Sequence, residues 1–373
     1  MSELTVLCVN AGSSTLKISL FAVDSGRGAD AERELWRGDD DHVDIRTALD
    51  ALARAGLGAP DAVGHRVVHG GTEHSRPAVV DDALVADLRA LVPLAPLHEP
   101  AAIAGIEAVV AVLGDVPQVA CFDTSFHHTL PEEAAHLALP ERFWQRGLRR
   151  YGFHGLSYEY VVEHVGAPAL GRAVIAHLGN GASLCAVRDG RSVDTTMGLT
   201  PTGGIVMGTR AGDLDPGLLV HLLAEEGYDA TTLDHLVNHE AGLLGLSGSS
   251  SDMRDLLASR AAGDHRAELA IAVFCRTIRK QIGAYAAVLG GLDSLVFTGG
   301  IGEGADDIRA EVCAGLGFLG VEIDPARNGP PRRAEVDGGR VISPDGAPVT
   351  VRVVAAAEDR MIARHTSNTL LGS

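Results

Sequence analysis

The sequence predicts an α/β protein with two domains, and three observations support this prediction. Apolar runs end in short glycine-rich or polar turns, helix-length apolar patterns alternate with these runs, and the chain has 373 residues. Strands that alternate with helices favour mainly parallel sheets joined by right-handed crossovers. A chain of this length also exceeds what a single core commonly organises. The second half opens as the first does, with a strand, a polar turn and a returning strand, which indicates a duplicated architecture.

The individual elements are predicted from apolar periodicity and turn residues. Strands are expected at 4–9, 15–23, 62–68, 116–122, 292–298 and 349–355, with two more around a turn within 172–187. Helices are expected at 48–55, 81–91, 101–113, 157–165, 215–225, 231–239, 252–260, 264–289, 306–316 and 358–366. Loops are expected at 24–44, 124–131, 299–304 and 325–339, with a linker or functional loop at 144–154.

Composition excludes several classes of function. A formal net charge of −18 disfavours a sequence-independent nucleic-acid binder, which needs a basic face. The five cysteines are widely separated and several lie in apolar runs, so we expect buried free thiols rather than disulfides or zinc ligands. We see no secretory signal, and the apolar helix expected at 101–113 is too short to span a bilayer. These features predict a soluble, cytoplasmic protein.

A glycine-rich turn after an apolar run is a candidate phosphate site, and the GGIGEG segment at 299–304 could bind phosphate, adenosine or nothing. In His177–Gly181 the glycines lack a Cβ, so main-chain N–H groups can approach an anion closely. Arg210, at the end of the same stretch, suits phosphate or carboxylate oxygens. An earlier turn brings together hydroxyl groups, an amide and one of only two lysines; an ordinary hairpin turn is the alternative. Its polar residues are Asn10, Ser13, Ser14, Thr15 and Lys17.

Three further residues have ionisable side chains within or beside apolar or glycine-rich segments. Asp123 ends a predicted buried strand, where a carboxylate needs a partner or a function; a simple loop cap is the alternative. His154 is flanked by glycines that we expect to leave its ring accessible, although a lone histidine is usually structural. Arg66 lies in the apolar run AVGHRVV, so it requires either a structural ion pair or an anionic substrate. Together these groups are the parts of a phosphoryl-transfer site.

Ten segments resemble the sequence blocks of the acetate kinase (acetokinase) family and occur in that family's order. They run from residue 9 to beyond 300 and are VNAGSSTLK, GHRVVHGG, PLAPLHEP, CFDTSFHHTLP, YGFHGLS, HLGNGASL, DTTMGLTP, MGTRAGDLDPG, SSDMRDL and FTGGIGE. The resemblance implies two duplicated actin-like (ribonuclease H-like) α/β domains with a nucleotide cleft between them. The implied domains are an N-terminal one, 1–150, completed by the helix 359–373, and a nucleotide-binding one, 151–358.

The resemblance also implies a role for each candidate residue. It assigns catalysis to Asp123, His154, Arg210 and Arg66. It assigns the carboxylate substrate and its acyl pocket to Arg66, Val68, Leu97, Phe153 and Pro201, and the metal to Asn10 and Glu358. It assigns the nucleotide to Lys17, His177, Leu178, Gly179, Asn180, Gly181, Asp252, Met253, Arg254, Gly300, Ile301, Gly302, Glu303 and Gly304. Thr202-Gly203 and Gly304 depart from the family's usual Leu-Glu pair and asparagine.

The implied activity is reversible, Mg²⁺-dependent transfer of the γ-phosphoryl group of ATP to acetate, which gives acetyl phosphate and ADP by direct in-line displacement. Mn²⁺ is an alternative metal, propionate is an alternative acceptor, and a homodimer that contacts neither nucleic acid nor membrane is expected. A chaperone-like ATPase switch and a sugar kinase are the competing classes. Neither has a use for a small apolar pocket lined by Val, Leu, Phe and Pro.

Overall fold

The computed structural model describes residues 3–11, 16–24, 31–38, 44–329 and 339–372, which pack into two compact units. Unit 1 comprises Met1–His128, Phe153–His164 and Ala357–Ser373, and unit 2 comprises Thr129–Gly152 and Val165–Ala356. The predicted turn residues 12–15 and parts of the predicted loops, 25–30, 39–43 and 330–338, lie outside the described residues. The domain limits drawn from the sequence, 1–150 with 359–373 and 151–358, stay a prediction.

Unit 1 is built on a six-stranded sheet. Its strands are β1 (Leu4–Ala11), β2 (Leu16–Val23), β3 (Glu32–Arg37), β4 (Ala62–Val67), β5 (Ala78–Val79) and β6 (Gln118–Phe122). Its helices are α1 (Ile45–Arg54), α2 (Asp82–Leu91), α3 (Glu99–Leu113), α6 (Gly155–Val165) and α15 (Glu358–Leu371), with 3₁₀ turns at Val92–Leu94 and Ser125–Thr129. Helix α15 packs against β1, β4 and β6. Gly64 of β4 permits this approach, because a Cβ there would collide with the side chains of Ile362 and Thr366.

Unit 2 is built on a second six-stranded sheet. Its strands are β7 (Ala173–Leu178), β8 (Ala182–Arg188), β9 (Arg191–Thr195), β10 (Ser294–Thr298), β11 (Arg340–Val341) and β12 (Thr350–Val353). Its helices are α4 (Glu132–Ala135), α5 (Glu141–Trp144), α7 (Ala167–Leu170), α8 (Pro216–Glu225), α9 (Ala230–His235), α10 (Gly242–Ser247), α11 (Met253–Ala261), α12 (His265–Leu289), α13 (Gly299–Gly304) and α14 (Asp306–Cys313). A π turn covers Leu236–Glu240 and a 3₁₀ turn covers Gly317–Leu319.

The two sheets share one topology, which confirms the predicted duplication. Their strand orders are β3-β2-β1-β4-β6-β5 and β9-β8-β7-β10-β12-β11. In both sheets the successive pairings are antiparallel, antiparallel, parallel, parallel and antiparallel. The expectation of mainly parallel sheets was therefore wrong. Each unit opens with hairpin-connected strands, and a short turn can only join antiparallel neighbours.

Two segments that the sequence predicted as loops form regular elements in the structure. Residues 32–37 were expected in a loop, but they form β3, which pairs with β2 while Leu35 and Trp36 pack against the core. The GGIGEG segment was expected as a loop and forms the short helix α13 directly after β10. Tertiary pairing and packing outweigh low intrinsic propensity in both segments. The five cysteines are all buried free thiols, as predicted.

Candidate active site

The centre of the candidate site in unit 1 is a buried ion pair between Arg66 and Asp123. Arg66 lies on β4 and Asp123 directly follows the parallel neighbour β6, so the two side chains meet at the same edge of the sheet. The Nη2 of Arg66 lies 2.6 Å from the Oδ2 of Asp123, and its Nε lies 3.2 Å and 3.1 Å from the two carboxylate oxygens. A carboxylate of this chain thus balances the buried charge of Arg66, which is one of the two possibilities left open by the sequence.

The charges around this pair favour the ionised arginine. Although burial lowers the pKa of Arg66, the carboxylates of Asp123 and Glu358 outweigh that effect and raise it. Burial raises the pKa of the Asp123 carboxyl, and the guanidinium of Arg66 opposes this shift. Because the guanidinium holds its proton so firmly, we treat the pair as charged at neutral pH.

Asn10 connects the ion pair to two further carboxylates. Its Nδ2 donates to Glu358 Oε2 at 3.1 Å and to Asp359 Oδ1 at 2.9 Å, while its Oδ1 accepts a 3.3 Å bond from Arg66 Nη1. Asn10 is the penultimate residue of β1, and both acidic residues begin α15, which packs against that strand. Sequence reasoning missed Asp359, which also accepts hydrogen bonds from Ser19 and Arg37. Its position directly after Glu358 was the available signal.

These oxygen donors fit a hard divalent cation. Glu358 acts electrostatically on both Arg66 and Asp123, so several carboxylates share this region with the Arg66 guanidinium. A divalent cation would balance that negative charge, and carboxylate and amide oxygens are ligands of Mg²⁺. Among the described residues, no group of three or more His, Cys, Asp or Glu forms a metal site.

His154 is fixed beside Asp123 in an unusual backbone conformation. Its φ is +59°, and within the described ranges Asp189 is the only other non-glycine residue with positive φ. The N–H of His154 donates to the Asp123 carboxylate, and its carbonyl oxygen accepts from Tyr158 N at 3.1 Å. His154 is only 8% exposed, so the expectation of an accessible ring was wrong. Such conformations persist where the surroundings enforce them, and they cluster at active sites.

Gly155 explains why the chain passes so close to Asp123. Its N–H donates to the main-chain oxygen of Asp123 at 2.9 Å, and a Cβ at this position would collide with that oxygen. The close approach of this segment to Asp123 thus depends on glycine at position 155, and the functional role expected for 144–154 stays a prediction.

The predicted apolar groups of unit 1 are mostly buried. Val68 and Phe153 are 2% and 1% exposed, and Leu97 is half-buried. The Phe153 ring packs edge-on against His69, with centroids 5.5 Å apart. The peptide N–H of His69 donates to Glu99 Oε1 at 2.6 Å, so α3 holds the end of β4 in place.

Glu99 is a buried acid that sequence reasoning passed over. It is fully buried, and its Oε2 has no hydrogen-bond partner among the described residues. Burial raises the pKa of its carboxyl to about 8. The available signal was an acidic residue between a histidine and a proline in the otherwise apolar PLAPLHEP segment.

Lys17 lies on β2 directly opposite Asn10 in the β1–β2 register. It is exposed, so its ammonium group is accessible to an anion. The structure thus brings together the ion pair, His154, Asn10 and Glu358, with Lys17 on the strand beside them.

In unit 2, the predicted glycine turn joins β7 to β8. Gly179 N donates to Gly181 O at 3.1 Å, and Asn180 O accepts from Gly208 N at 2.9 Å. Gly208 and Gly299 both lie against this turn, because a Cβ on Gly208 would meet Asn180 and one on Gly299 would meet the backbone of Leu178. Glycine at positions 208 and 299 therefore lets two segments pack directly against the turn, which leaves main-chain groups close to it.

Arg210 is also fixed within unit 2. It is 5% exposed, and its Nη1 donates to Pro201 O at 2.7 Å. Its backbone is held by hydrogen bonds from Met207 N to Arg210 O and from the neighbouring Ala211 N to Val237 O. The structure therefore brings together Arg210 and Pro201, which the sequence had assigned to catalysis and to the acyl pocket.

The remaining predicted nucleotide residues occupy two helix starts in unit 2. Asp252 caps α11 by accepting from Arg254 N, and its carboxylate forms a two-point pair with the exposed Arg254 guanidinium. Met253 is buried beneath them. Gly300–Gly304 form most of α13, where Glu303 Oε1 accepts from Ala356 N at 2.9 Å. These residues are ordered by local contacts, and their role toward a nucleotide stays a prediction.

No helix in the described ranges combines the length and apolarity needed to cross a bilayer.

Comparison with known proteins identifies the family. The sequence pattern of the acetokinase family matches residues 31–364. An acetate kinase from Streptomyces avermitilis is 42% identical over 400 residues, covering 98% of this chain and 97% of the relative. The crystal structure of Porphyromonas gingivalis acetate kinase has a TM-score of 0.82 and 36% identity, covering 98% of this chain and 100% of that one. A propionate kinase from Francisella tularensis has a TM-score of 0.84 and 34% identity, covering 99% and 100%. These similarities confirm the predicted fold of two actin-like α/β units, and the chain belongs to the acetokinase family.

Proposed function

We propose that this chain catalyses the reversible transfer of the γ-phosphoryl group of ATP to acetate, giving acetyl phosphate and ADP. The observation that carries this proposal is the buried group formed by Arg66, Asp123, Asn10 and Glu358 at the sheet edge of unit 1. Such a set can orient an anionic acceptor and neutralise phosphate charge, which are the main requirements of phosphoryl transfer.

The acceptor needs no general base, because a carboxylate is already a nucleophile at neutral pH. Asp123 is therefore proposed as an orienting group rather than a proton acceptor. This role agrees with its two-point bond to Arg66, which occupies both carboxylate oxygens. Among the described residues, Arg66 Nη1 donates to Asn10 Oδ1 alone, at the longer distance of 3.3 Å. We propose that this edge of the guanidinium meets the carboxylate substrate.

Charge on the transferring group would be stabilised by Arg210 and His154. Both are buried and held by backbone contacts, so little reorganisation accompanies the reaction. When bound, a divalent metal would neutralise phosphate oxygens, with Asn10 and Glu358 as its protein ligands. We propose Mg²⁺ as this metal, with Mn²⁺ as an alternative.

Nucleotide binding is proposed for unit 2. The His177–Gly181 turn would bind the phosphates, while Asp252–Arg254 and Gly300–Gly304 would contact the adenosine. The supporting observation is the close packing of glycine-containing segments around the turn. Lys17 of unit 1 is exposed and suited to a phosphate oxygen.

The second candidate acceptor is propionate, favoured by the similarity to the Francisella tularensis propionate kinase. Val68, Leu97, Phe153 and Pro201 would line the acyl pocket, and one methylene in such a pocket changes binding by only about 1–3 kcal/mol. We further propose a cytoplasmic homodimer that takes part in acetyl-CoA biosynthesis through acetyl phosphate.

The test is a coupled assay of ADP formation with acetate, propionate, butyrate and glycerol as acceptors, combined with hydroxylamine trapping of the acyl phosphate. We expect an acyl hydroxamate with acetate, a smaller yield with propionate and none with glycerol. Phosphorylation of glycerol without any hydroxamate would instead support a sugar-kinase activity. ATP hydrolysis without any acceptor dependence would support a nucleotide-driven switch.

A further inference from the structure

Asn238 contacts both segments that meet at the Arg210–Pro201 hydrogen bond. Its side-chain Oδ1 accepts from Thr202 Oγ1 at 2.7 Å, and its main-chain oxygen accepts from Thr209 Oγ1 at 2.8 Å. Thr202 directly follows Pro201, and Thr209 directly precedes Arg210. Asn238 therefore binds the residue next to Pro201 and the residue next to Arg210. Arg210 Nη1 and Pro201 O are themselves joined by a hydrogen bond.

Asn238 is itself held firmly. It is 5% exposed and lies in the π turn Leu236–Glu240, between α9 and α10. Its Nδ2 donates to Asp234 Oδ1 at 2.9 Å and to Asp234 O at 3.2 Å. These bonds leave Oδ1 facing the Thr202 hydroxyl, because an amide that donates through its nitrogen must accept through its oxygen.

The segment around Arg210 has independent support from the same region. Ala211 N donates to Val237 O, Ala241 N donates to Thr209 O, and Leu243 N donates to Met207 O. The segment that carries Pro201 depends more on side chains, with Gly204 N bound to Asp213 Oδ1 and Thr202 bound to Asn238. The Thr202–Asn238 bond therefore joins the Pro201 segment to the backbone that fixes Arg210.

We propose that Asn238 and Thr202 are positioning residues that set the direction of the Arg210 guanidinium by fixing the Pro201 carbonyl. The inference rests on the proposed phosphoryl transfer, in which Arg210 stabilises the transferring group. A displacement on the order of 1 Å in a positioned catalytic group can lower the rate by about 100-fold. Thr202 is a hydroxyl-bearing residue at a position where the family usually has leucine, so this chain's own sequence supplies the donor.

The matched variants are Thr202→Val, which keeps the side-chain shape but removes the hydroxyl, and Thr202→Ser, which keeps the hydroxyl. We expect Thr202→Val to lower kcat by about tenfold and Thr202→Ser to retain nearly all of it. The KM for ATP should stay within about twofold in both, because the nucleotide turn is held by other bonds. Asn238→Ala should lower kcat at least as much, and Thr202→Val in that background should add little further loss.

Several readouts separate positioning from a general loss of folding. The thermal midpoint of Thr202→Val should lie close to that of Thr202→Ser, and its crystal structure should show Arg210 Nη1 moved away from Pro201 O. Equal kcat in the valine and serine variants, with active wild-type enzyme, would overturn the positioning role alone. Wild-type protein that forms no acyl phosphate with any short carboxylate would overturn the proposed function and this inference together.

Discussion

Arg66 and Asp123 form a two-point ion pair at the ends of neighbouring parallel strands, with Nη2 and Oδ2 2.6 Å apart. The arginine side chain is 11% exposed and the aspartate is fully buried. Each charge therefore depends on the other, because an isolated buried charge is strongly destabilising. The pair is also joined to Asn10 and Glu358, so any change that disturbs it affects folding and the proposed metal ligands together.

Removal of one partner should destabilise the protein more than removal of both. We expect Asp123→Ala to lower the free energy of unfolding by about 3–5 kcal/mol, because Arg66 is left buried without its counter-charge. The measurement is urea denaturation of Asp123→Ala, Arg66→Ala and the double variant. Additive losses in the double variant would show that the two charges do not depend on each other.

Arg210 should affect the rate more than nucleotide affinity. We expect Arg210→Ala to lower kcat by about 100-fold or more, with a smaller change in the KM for ATP, because its charge is needed as the phosphoryl group transfers. The measurement is steady-state kinetics beside Arg89→Ala, a control that removes an exposed arginine paired with Glu107. A near-normal kcat for Arg210→Ala would be incompatible with the proposed role.

Glu358 should set the requirement for metal. We expect Glu358→Gln to raise the half-saturating Mg²⁺ concentration by about 10–100-fold, because a neutral amide is a weaker ligand than a carboxylate. The requirement is measured from activity and, independently, from calorimetric titration of Mg²⁺ with ADP present. Glu133→Gln, on the exposed side of α4, is the charge-matched control. Identical metal titrations for both variants would remove Glu358 from the metal site.

Glu99 should make stability depend on pH. Burial raises the pKa of its carboxyl to about 8 from the ordinary 4.5, so the folded state binds a proton that the unfolded state releases between these values. The stability that Glu99 contributes is thus fully present below about pH 4.5 and is lost as pH rises to about 8, at about 1.4 kcal/mol per pH unit between these values.

The neutral variant Glu99→Gln tests this directly. It should match the wild type at acidic pH and become progressively more stable than the wild type as the pH approaches 8, since glutamine cannot ionise. The measurement is the unfolding free energy across that range, with the exposed Glu107→Gln on the same helix as control. A constant difference between Glu99→Gln and the wild type at all pH values would contradict the shifted carboxyl.

The strongly patterned elements could be predicted because their apolar residues repeat regularly. Strands β4, β6, β7 and β10 are mainly apolar and almost entirely buried, and α12 has apolar residues at helical spacing. Strands β3 and β9 could not be predicted in the same way, because polar residues dominate them and pairing with β2 and β8 decides their conformation. The conformation of α13 likewise depends on its surroundings, since four of its residues are glycine.

Site residues could be predicted where a charged side chain lies inside or directly after a strongly apolar strand. Asp123 after a buried strand and Arg66 inside one are visible in the sequence, but the bond between them depends on which strands are neighbours. Glu99 and Asp359 were missed because their local signals, an acid in an apolar segment and a second acid after Glu358, are also common at helix caps, and nothing local distinguishes Asn238 from a surface residue. Their importance lies in bonds to residues about 30 to 350 positions away.

The division of unit 1 along the chain has a consequence for biosynthesis. Helix α15 supplies Glu358 and Asp359 and packs on β1, β4 and β6, yet all of unit 2 from Val165 to Ala356 is translated before it. At translation rates of about 5–20 residues per second, the sheet of unit 1 waits on the order of tens of seconds for the helix that covers it. During that interval the side of the sheet that α15 covers lacks this helix, and we therefore expect unit 2 to complete its fold before unit 1.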